Sequence, residues 1–242
     1  MSERHDAFWA EFFGVSATDL RTPGVSLGRH AALAGYRGVW FFLRGARLIV
    51  SAPDGWLPRI RGAFDGAPNP PALPNPSQID ELFGESLERW VGPAFQGALD
   101  VGDFRPFTSP HVRALTDADA DAVAAFRDAC GSDGWNDAAF DRAVLFRAGY
   151  FDDGRLVAMA GFRTWSATAG DPCVLSLPDY RGRGCAKAVV SHVLTTAFAH
   201  ERTPLYQTLE SNVAAVGVAL SVGYARYANQ VAVRLTTDVP TS

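Results

Sequence analysis

Lysine is almost missing from this chain. Of its 22 basic residues in 242, only Lys187 is a lysine and the rest are arginine. A GC-rich genome explains that bias, so the place of the single lysine is the informative part. Cysteine is scarce too: Cys130, Cys173 and Cys185 make an odd number with no CxxC pair. That excludes a disulfide scaffold and points to reduced thiols in a cytoplasmic setting. The five histidines lack spacing such as HExxH, so no metal is expected. There is no basic excess. The formal charge is −4, and a nucleic-acid partner is not expected. No apolar run approaches ~18 residues, so no membrane span is expected. The first residues, Met1 to Asp6, are charged with no apolar stretch behind them, unlike a signal peptide. What is present is an ordinary globular composition, 48% apolar and 20% charged, long enough for one large or two small domains.

Proline marks the divisions. Arg105-Pro106-Phe107-Thr108-Ser109-Pro110 reads as a linker, which suggests domains at 1–108 and 109–242. The stretch 66–76 holds five prolines and reads as loop. In the first half, Val39–Leu43 and Ala46–Val50 flank Arg44-Gly45 as a hairpin. A helix is expected after Pro53-Asp54 and another from Ser77. Phe8, Trp9, Phe12 and Phe13 have helical spacing and read as core.

The second half gives a clearer order. Val112–Leu115 is a short strand, and Thr116 can cap a helix through Ala122, Val123 and Phe126. Strands are expected at Phe146–Phe151 and Leu156–Trp165 around the turn Asp153-Gly154. Another runs through Cys173–Leu177 to Pro178. A helix from about Gly184, a strand Leu205–Leu209, a short helix from Asn212 and a terminal hairpin (Tyr224–Tyr227, Gln230–Leu235) complete it. The class is α/β: a mixed sheet with helices on both faces.

The chemistry concentrates in Val174-Leu175-Ser176-Leu177-Pro178-Asp179-Tyr180-Arg181-Gly182-Arg183-Gly184-Cys185-Ala186-Lys187. An apolar strand enters a glycine-rich turn that opens a helix. The first N–H groups of such a helix have no partner within it, and with the dipole they form an anion site. Gly182 and Gly184 let a phosphate approach the backbone, and Arg181, Arg183 and Lys187 add positive charge. A cation in a helix's first turn opposes the dipole by a few tenths of a kcal/mol, and a bound pyrophosphate would reverse that sign.

Residues 112–237 resemble the GNAT superfamily of N-acetyltransferases. Pro178–Ala186 matches that family's pyrophosphate motif, (Gln/Arg)-x-x-Gly-x-(Gly/Ala). Leu205–Ala215 through Val222-Gly223-Tyr224 is similar to its next motif: a strand, an Asn, a small-residue helix and a Gly-aromatic pair. The first half resembles a degenerate GNAT-like unit of a tandem member and has no such loop. Its nearest match, Arg59-Ile60-Arg61-Gly62-Ala63-Phe64, ends in Phe.

The resemblance implies an acyl-coenzyme A N-acyltransferase fold and transfer of acetyl from acetyl-CoA to an amine of a small molecule or peptide. Backbone groups of Val174, Leu175 and Ser176 would pair with the pantetheine arm. The turn from Arg181 through Lys187, including Cys185 and Ala186, would hold the pyrophosphate. Asn212 would contact the arm, or serve as a plain helix cap. Two usual proton-transfer positions are changed: Ala219 stands where many members carry a Tyr, and Gln207 where part of the family carries a Glu. Catalytic candidates are then Glu210 as base through water, and Ser221 or Tyr224 near the sulfur. Their plainer readings are a solvated strand end, a helix surface and core. Cys185 reads as packing. The segment 130–137, with acids beside Trp135, suits a cationic acceptor or is a solvated loop over a buried Trp. A second reading is a non-catalytic acyl-CoA-binding or sensing module. A homodimer through the first half is compatible with the sequence, and no feature in it demonstrates one.

Overall fold

The computed structural model describes residues 3–33, 35–64, 71–140 and 142–239. The chain forms two compact units that interleave along the sequence. One takes the chain up to Gly97 together with Gln207–Val213 and the chain from Arg226 onward; the other takes Ala98–Tyr206 and Ala214–Ala225.

In the first unit, helix α1 (Glu3–Phe13) buries Phe8, Trp9, Phe12 and Phe13. They meet β2 (Gly38–Arg44), with Trp9 4.6 Å from Phe42 and Phe12 5.2 Å from Trp40 between ring centroids. The expected hairpin is present as β2 and β3 (Arg47–Ala52), but Arg44 pairs with Arg47, so its two-residue turn is Gly45-Ala46. The other face of β2 and β3 packs Phe41 and Val50 on Trp56, Ile60, Ile79 and Phe83. The last three come from α2 (Leu57–Phe64) and α3 (Pro76–Phe83). The Asn75 side chain caps α3 by accepting from the N–H of Gln78.

Two strands carried no clear signal in the sequence. β1 (Gly24–Arg29) is half-buried along most of its length, so its alternation is weak, and β4 (Leu87–Ala98) contains Pro93 and two glycines, residues that argue against a strand. The expected terminal hairpin is instead one strand, β10 (Ala225–Leu235). The Ala228-Asn229 pair that reads as a turn stays extended, because Asn229 pairs with Leu43 of β2 and its side chain donates to Glu210. The strand order is β1-β3-β2-β10-β4. Within it the parallel pair β1/β3 is joined over six consecutive partners, Gly24↔Arg47 to Arg29↔Ala52. Of the proline-rich stretch, 66–70 lies outside the described residues.

The second unit is ordered β9-β8-β7-β6-β5. The edge strand is β5 (Val112–Ala114). β6 (Val144–Asp152) and β7 (Arg155–Thr164) form the expected hairpin, with Asp153 at φ +46° and Gly154 at +79°. That left-handed pair matches the strand twist. β8 (Ala169–Ser176) pairs antiparallel with β7 over seven partners. Helix α4 (Ala120–Asp137) follows Thr116, whose N–H donates to Asp119. It packs Phe126 and Trp135 on Cys173, Leu175 and Leu177. Segment 130–137 is therefore helical rather than loop, with a break at Gly131 (φ 77°, ψ 160°) that only glycine adopts easily. Helix α5 (Cys185–Ala199) also packs on the sheet, and β9 (Thr203–Leu209) leads to α6 (Val213–Ser221).

Candidate active site

The main feature of the second unit is a ladder that stops. β8 and β9 run parallel but pair only at Ala169↔Thr203 and Gly170↔Pro204. Beyond that point β8 continues for six residues on β7 alone. The N–H of Leu177 donates to Val157 O at 3.0 Å, which fixes the phase of the β7 ladder. Backbone direction alternates along a strand, so Cys173 and Leu175 turn their N–H and C=O groups to β7. Val174 and Ser176 turn theirs to the opened side. The side chains alternate too. Leu175 and Leu177 face α4, so the Ser176 side chain faces away from it. Its Oγ is buried with no hydrogen-bond partner. An orphaned hydroxyl of this kind costs about 1–3 kcal/mol unless something supplies its bond.

Past β8, Pro178–Tyr180 makes a 3-10 turn into the glycines. Gly182 lies at φ +73° and Gly184, the residue ahead of α5, at +83°. A Cβ at 182 would meet nothing within 4 Å, so this backbone faces open space; at 184 it would meet only the Phe107 ring, at 3.7 Å. Arg181 and Arg183 are exposed beside it, and Ala186 and Lys187 are half-buried. The Arg183 guanidinium lies 5.2 Å from the Tyr180 ring centre, and the Lys187 ammonium 5.1 Å from that of Phe107. Tyr180 Oη in turn donates to Asp152 at 2.9 Å. Cys185 is buried, and burial pushes its thiol up, the opposite of an activated thiolate.

The proton-transfer candidates have their hydrogen bonds elsewhere. Tyr224 is 3% exposed, its Oη donates to Leu205 O at 3.0 Å, and burial holds its phenol far above its usual range. Ser221 Oγ donates to Val218 O at 2.8 Å. Glu210 belongs to the first unit. It accepts from both Arg226 Nη groups and from Asn229 Nδ2 at 2.6 Å; the Arg226 bond, ahead of the desolvation that opposes it, lowers its carboxyl below the usual value. Gln207 is in the same unit. Its amide donates to Gln230 Oε1 at 3.0 Å, and that oxygen also accepts from the buried Gln96. Asn212, exposed just ahead of α6, donates its N–H to Leu209 O at 3.0 Å. Ala219 is fully buried.

A groove of about 860 Å³ lies between α4 and β6, lined among others by Asp117, Arg127, Asp128, Trp135 and Arg147. Trp135 is buried, and Arg127 sits 5.5 Å from its ring centre, so the indole already has a cation from the chain itself. Asp133 and Asp137 are exposed.

An open strand slot running into a glycine turn at a helix N-terminus defines a class: an α/β domain whose strand pairing opens ahead of a helix end. Residues 112–224 match the acetyltransferase (GNAT) family model. Members of that family bind acyl-coenzyme A and act on amine acceptors. Among solved structures, the chain is similar to a putative GNAT acetyltransferase from Novosphingobium aromaticivorans, with 28% identity over 62% of this chain and 67% of that one, TM-score 0.48. It is also similar to a GNAT-family acetyltransferase from Colwellia psychrerythraea, 16% identical over 65% and 61%, TM-score 0.49. A GCN5-related N-acetyltransferase-like protein from Streptococcus suis matches over 95% and 98%, at 15% identity and TM-score 0.46. The chain thus spans about two thirds of the first structure and somewhat less of the second. No curated protein matches it significantly. Among the described residues no helix is long and apolar enough to cross a membrane.

Proposed function

We propose that this chain is an acetyl-CoA-dependent N-acetyltransferase acting on a primary amine of a small molecule or peptide. The observation that carries the reading is the β8/β9 ladder, which ends at Gly170↔Pro204 and leaves the backbone of Val174 and Ser176 facing outward ahead of the Gly182–Gly184 turn. The residues present fit coenzyme A. Val174 and Ser176 offer N–H and C=O groups to the pantetheine amides in the manner of an added strand. The orphaned Ser176 Oγ gains the partner it lacks. The open backbone at Gly182 and the first N–H groups of α5 take the pyrophosphate, with Arg181, Arg183 and Lys187 supplying charge. Leu175 contributes by packing under α4 rather than by its backbone, which belongs to the β7 ladder.

When bound, acetyl-CoA supplies a thioester carbonyl for direct attack by a neutral amine. The strand N–H groups on the open side polarise that carbonyl. A thiol of reference pKa about 8.5 is a tolerable leaving group without a dedicated acid, which suits a site where Ala219 replaces the usual Tyr. The setting is the cytoplasm, and the partner is the amine acceptor rather than nucleic acid or membrane.

Release of free thiol on mixing the protein with acetyl-CoA and a panel of amines tests this reading; the expected result is amine-dependent release above background. A second reading, a module that binds acyl-CoA without turnover, draws support from the prior hydrogen bonds of Tyr224, Ser221 and Gln207. Calorimetric binding of acetyl-CoA with no release from any amine would favour it. Measured turnover would end it.

A further inference from the structure

We propose that the segment between β4 and β5 forms part of the coenzyme site, with the Phe107 ring as platform for the purine and Lys187 beside it for a phosphate; this rests on the coenzyme A reading above. The segment is more than a tether. It crosses α5 and is pinned along its length: Arg105 N–H donates to Val222 O at 2.9 Å, the Phe104 ring lies 5.3 Å from Phe198, and Phe107 N–H donates to Ser191 Oγ at 2.9 Å. Gly223 is pressed so closely on it that a Cβ there would fall 2.1 Å from Asp103 O.

A strap held this firmly could bury its aromatic side chain, yet Phe107 stays 43% exposed. It is the only aromatic among the exposed large apolar side chains of the described residues. The ring stands where a side chain at Gly184 would touch it, and the one lysine of the chain holds its ammonium over it. A partly exposed ring with a cation over one face, next to the glycine turn, matches the two chemistries of a nucleotide: base stacking on the ring and phosphate charge at the lysine. Beneath the strap, a cavity of about 210 Å³ brings Ser109 and His192 beside the ring, where the polar edge of a purine can bond.

The experiment is calorimetry on the full chain with coenzyme A and, separately, with 4′-phosphopantetheine, which lacks the nucleotide. Phe107→Ala is expected to weaken coenzyme A about tenfold, in line with the measured worth of base–aromatic stacking, and to leave phosphopantetheine binding unchanged. Phe107→Trp is expected to keep coenzyme A affinity and to show indole quenching with coenzyme A but not with phosphopantetheine. Circular dichroism checks that both variants fold. Unchanged coenzyme A binding by Phe107→Ala, or an equal loss for both ligands, overturns the proposal and leaves Phe107 as packing. If the unmutated chain binds neither ligand, the coenzyme reading itself has failed.

Discussion

Each unit contains a pair of parallel strands, and the two pairs differ in one respect. β1 and β3 are joined through six partners; β8 and β9 part after two. The glycines near them differ in the same way. Gly55, in the turn after β3, is walled in: a Cβ there would fall 2.4 Å from Val239 and 2.7 Å from Asp238 O. Gly182, after β8, faces open space at a left-handed φ. A closed ladder with a packed glycine satisfies its own backbone. An open ladder with a free glycine leaves N–H and C=O groups for something else. The slot proposed as the coenzyme site is thus a gap in strand pairing, and glycine content alone does not reveal it.

Substitutions at one glycine of each turn, Gly184 after β8 and Gly55 after β3, give the widest separation between the pairs. Gly184→Glu places a carboxylate in the proposed anion site at φ +83° and is expected to abolish coenzyme A binding, measured by calorimetry, a loss of at least about a hundredfold. The left-handed backbone adds roughly 1–2 kcal/mol of destabilisation, so the melting temperature is read alongside. Gly55→Ala is expected to do the reverse: overpacking against Val239 costs about 1–3 kcal/mol of stability, visible in urea unfolding, with coenzyme A affinity retained. Were Gly55→Ala to abolish binding and Gly184→Glu to leave it, the contrast between the turns would be lost.

Ser176→Ala is the next largest. It removes an unpaired buried hydroxyl, so the ligand-free protein should melt at the same or a higher temperature. Coenzyme A should bind about three- to tenfold more weakly, because its own polar group loses that partner. A fall in stability without a change in affinity would show that the hydroxyl serves the fold.

Acid separates the units differently. Asp6 is buried in the first unit. Its burial alone would raise its pKa, but the bonds from Tyr227 and Arg21 and the charge of Arg44 outweigh that and lower it. A carboxyl depressed in the folded state contributes stability that is present above its unfolded pKa, about 3.9, and is lost as pH falls through the folded value. Unfolding of the parent chain and of Asp6→Asn, compared from pH 7 downward, should therefore converge below about pH 4. A constant difference at every pH would mean that the charge contributes nothing.

Glu210→Gln carries the smallest effect. A carboxylate already bonded to Arg226 and Asn229 is a weak base, so turnover should fall less than about fivefold, well short of the hundredfold or more that loss of a general base costs. A collapse of kcat with loss of the rising limb of the pH profile would return Glu210 to the catalytic role.

Much of the second unit was readable from sequence because its signals are local. The Asp153-Gly154 hairpin, the apolar strand before Pro178 and the helix start at Gly184 each lie within a few residues, where turn chemistry and periodicity act. β1 and β4 were not readable, since half-burial blurs alternation in one and Pro93 masks the other. The helix at 130–137 was hidden by Gly131 and Gly134, residues that suggest loop until the packing of Trp135 on β8 is seen. In the site, the turn residues could be named in advance, but the partners of Glu210, Ser221 and Tyr224 could not.

By itself, then, the sequence determined the strand–turn–helix of residues 174–187, its glycines and its local positive charge, including the one lysine. Dihedral freedom and helix-end chemistry depend on neighbours in the chain. Only the tertiary structure decided that β8 and β9 part after two residues, that Val174 and Ser176 rather than Leu175 face the gap, and that Phe107 comes to rest under Lys187. Each of these depends on which groups distant in sequence bond to one another, and backbone pairing across such distances leaves no local pattern.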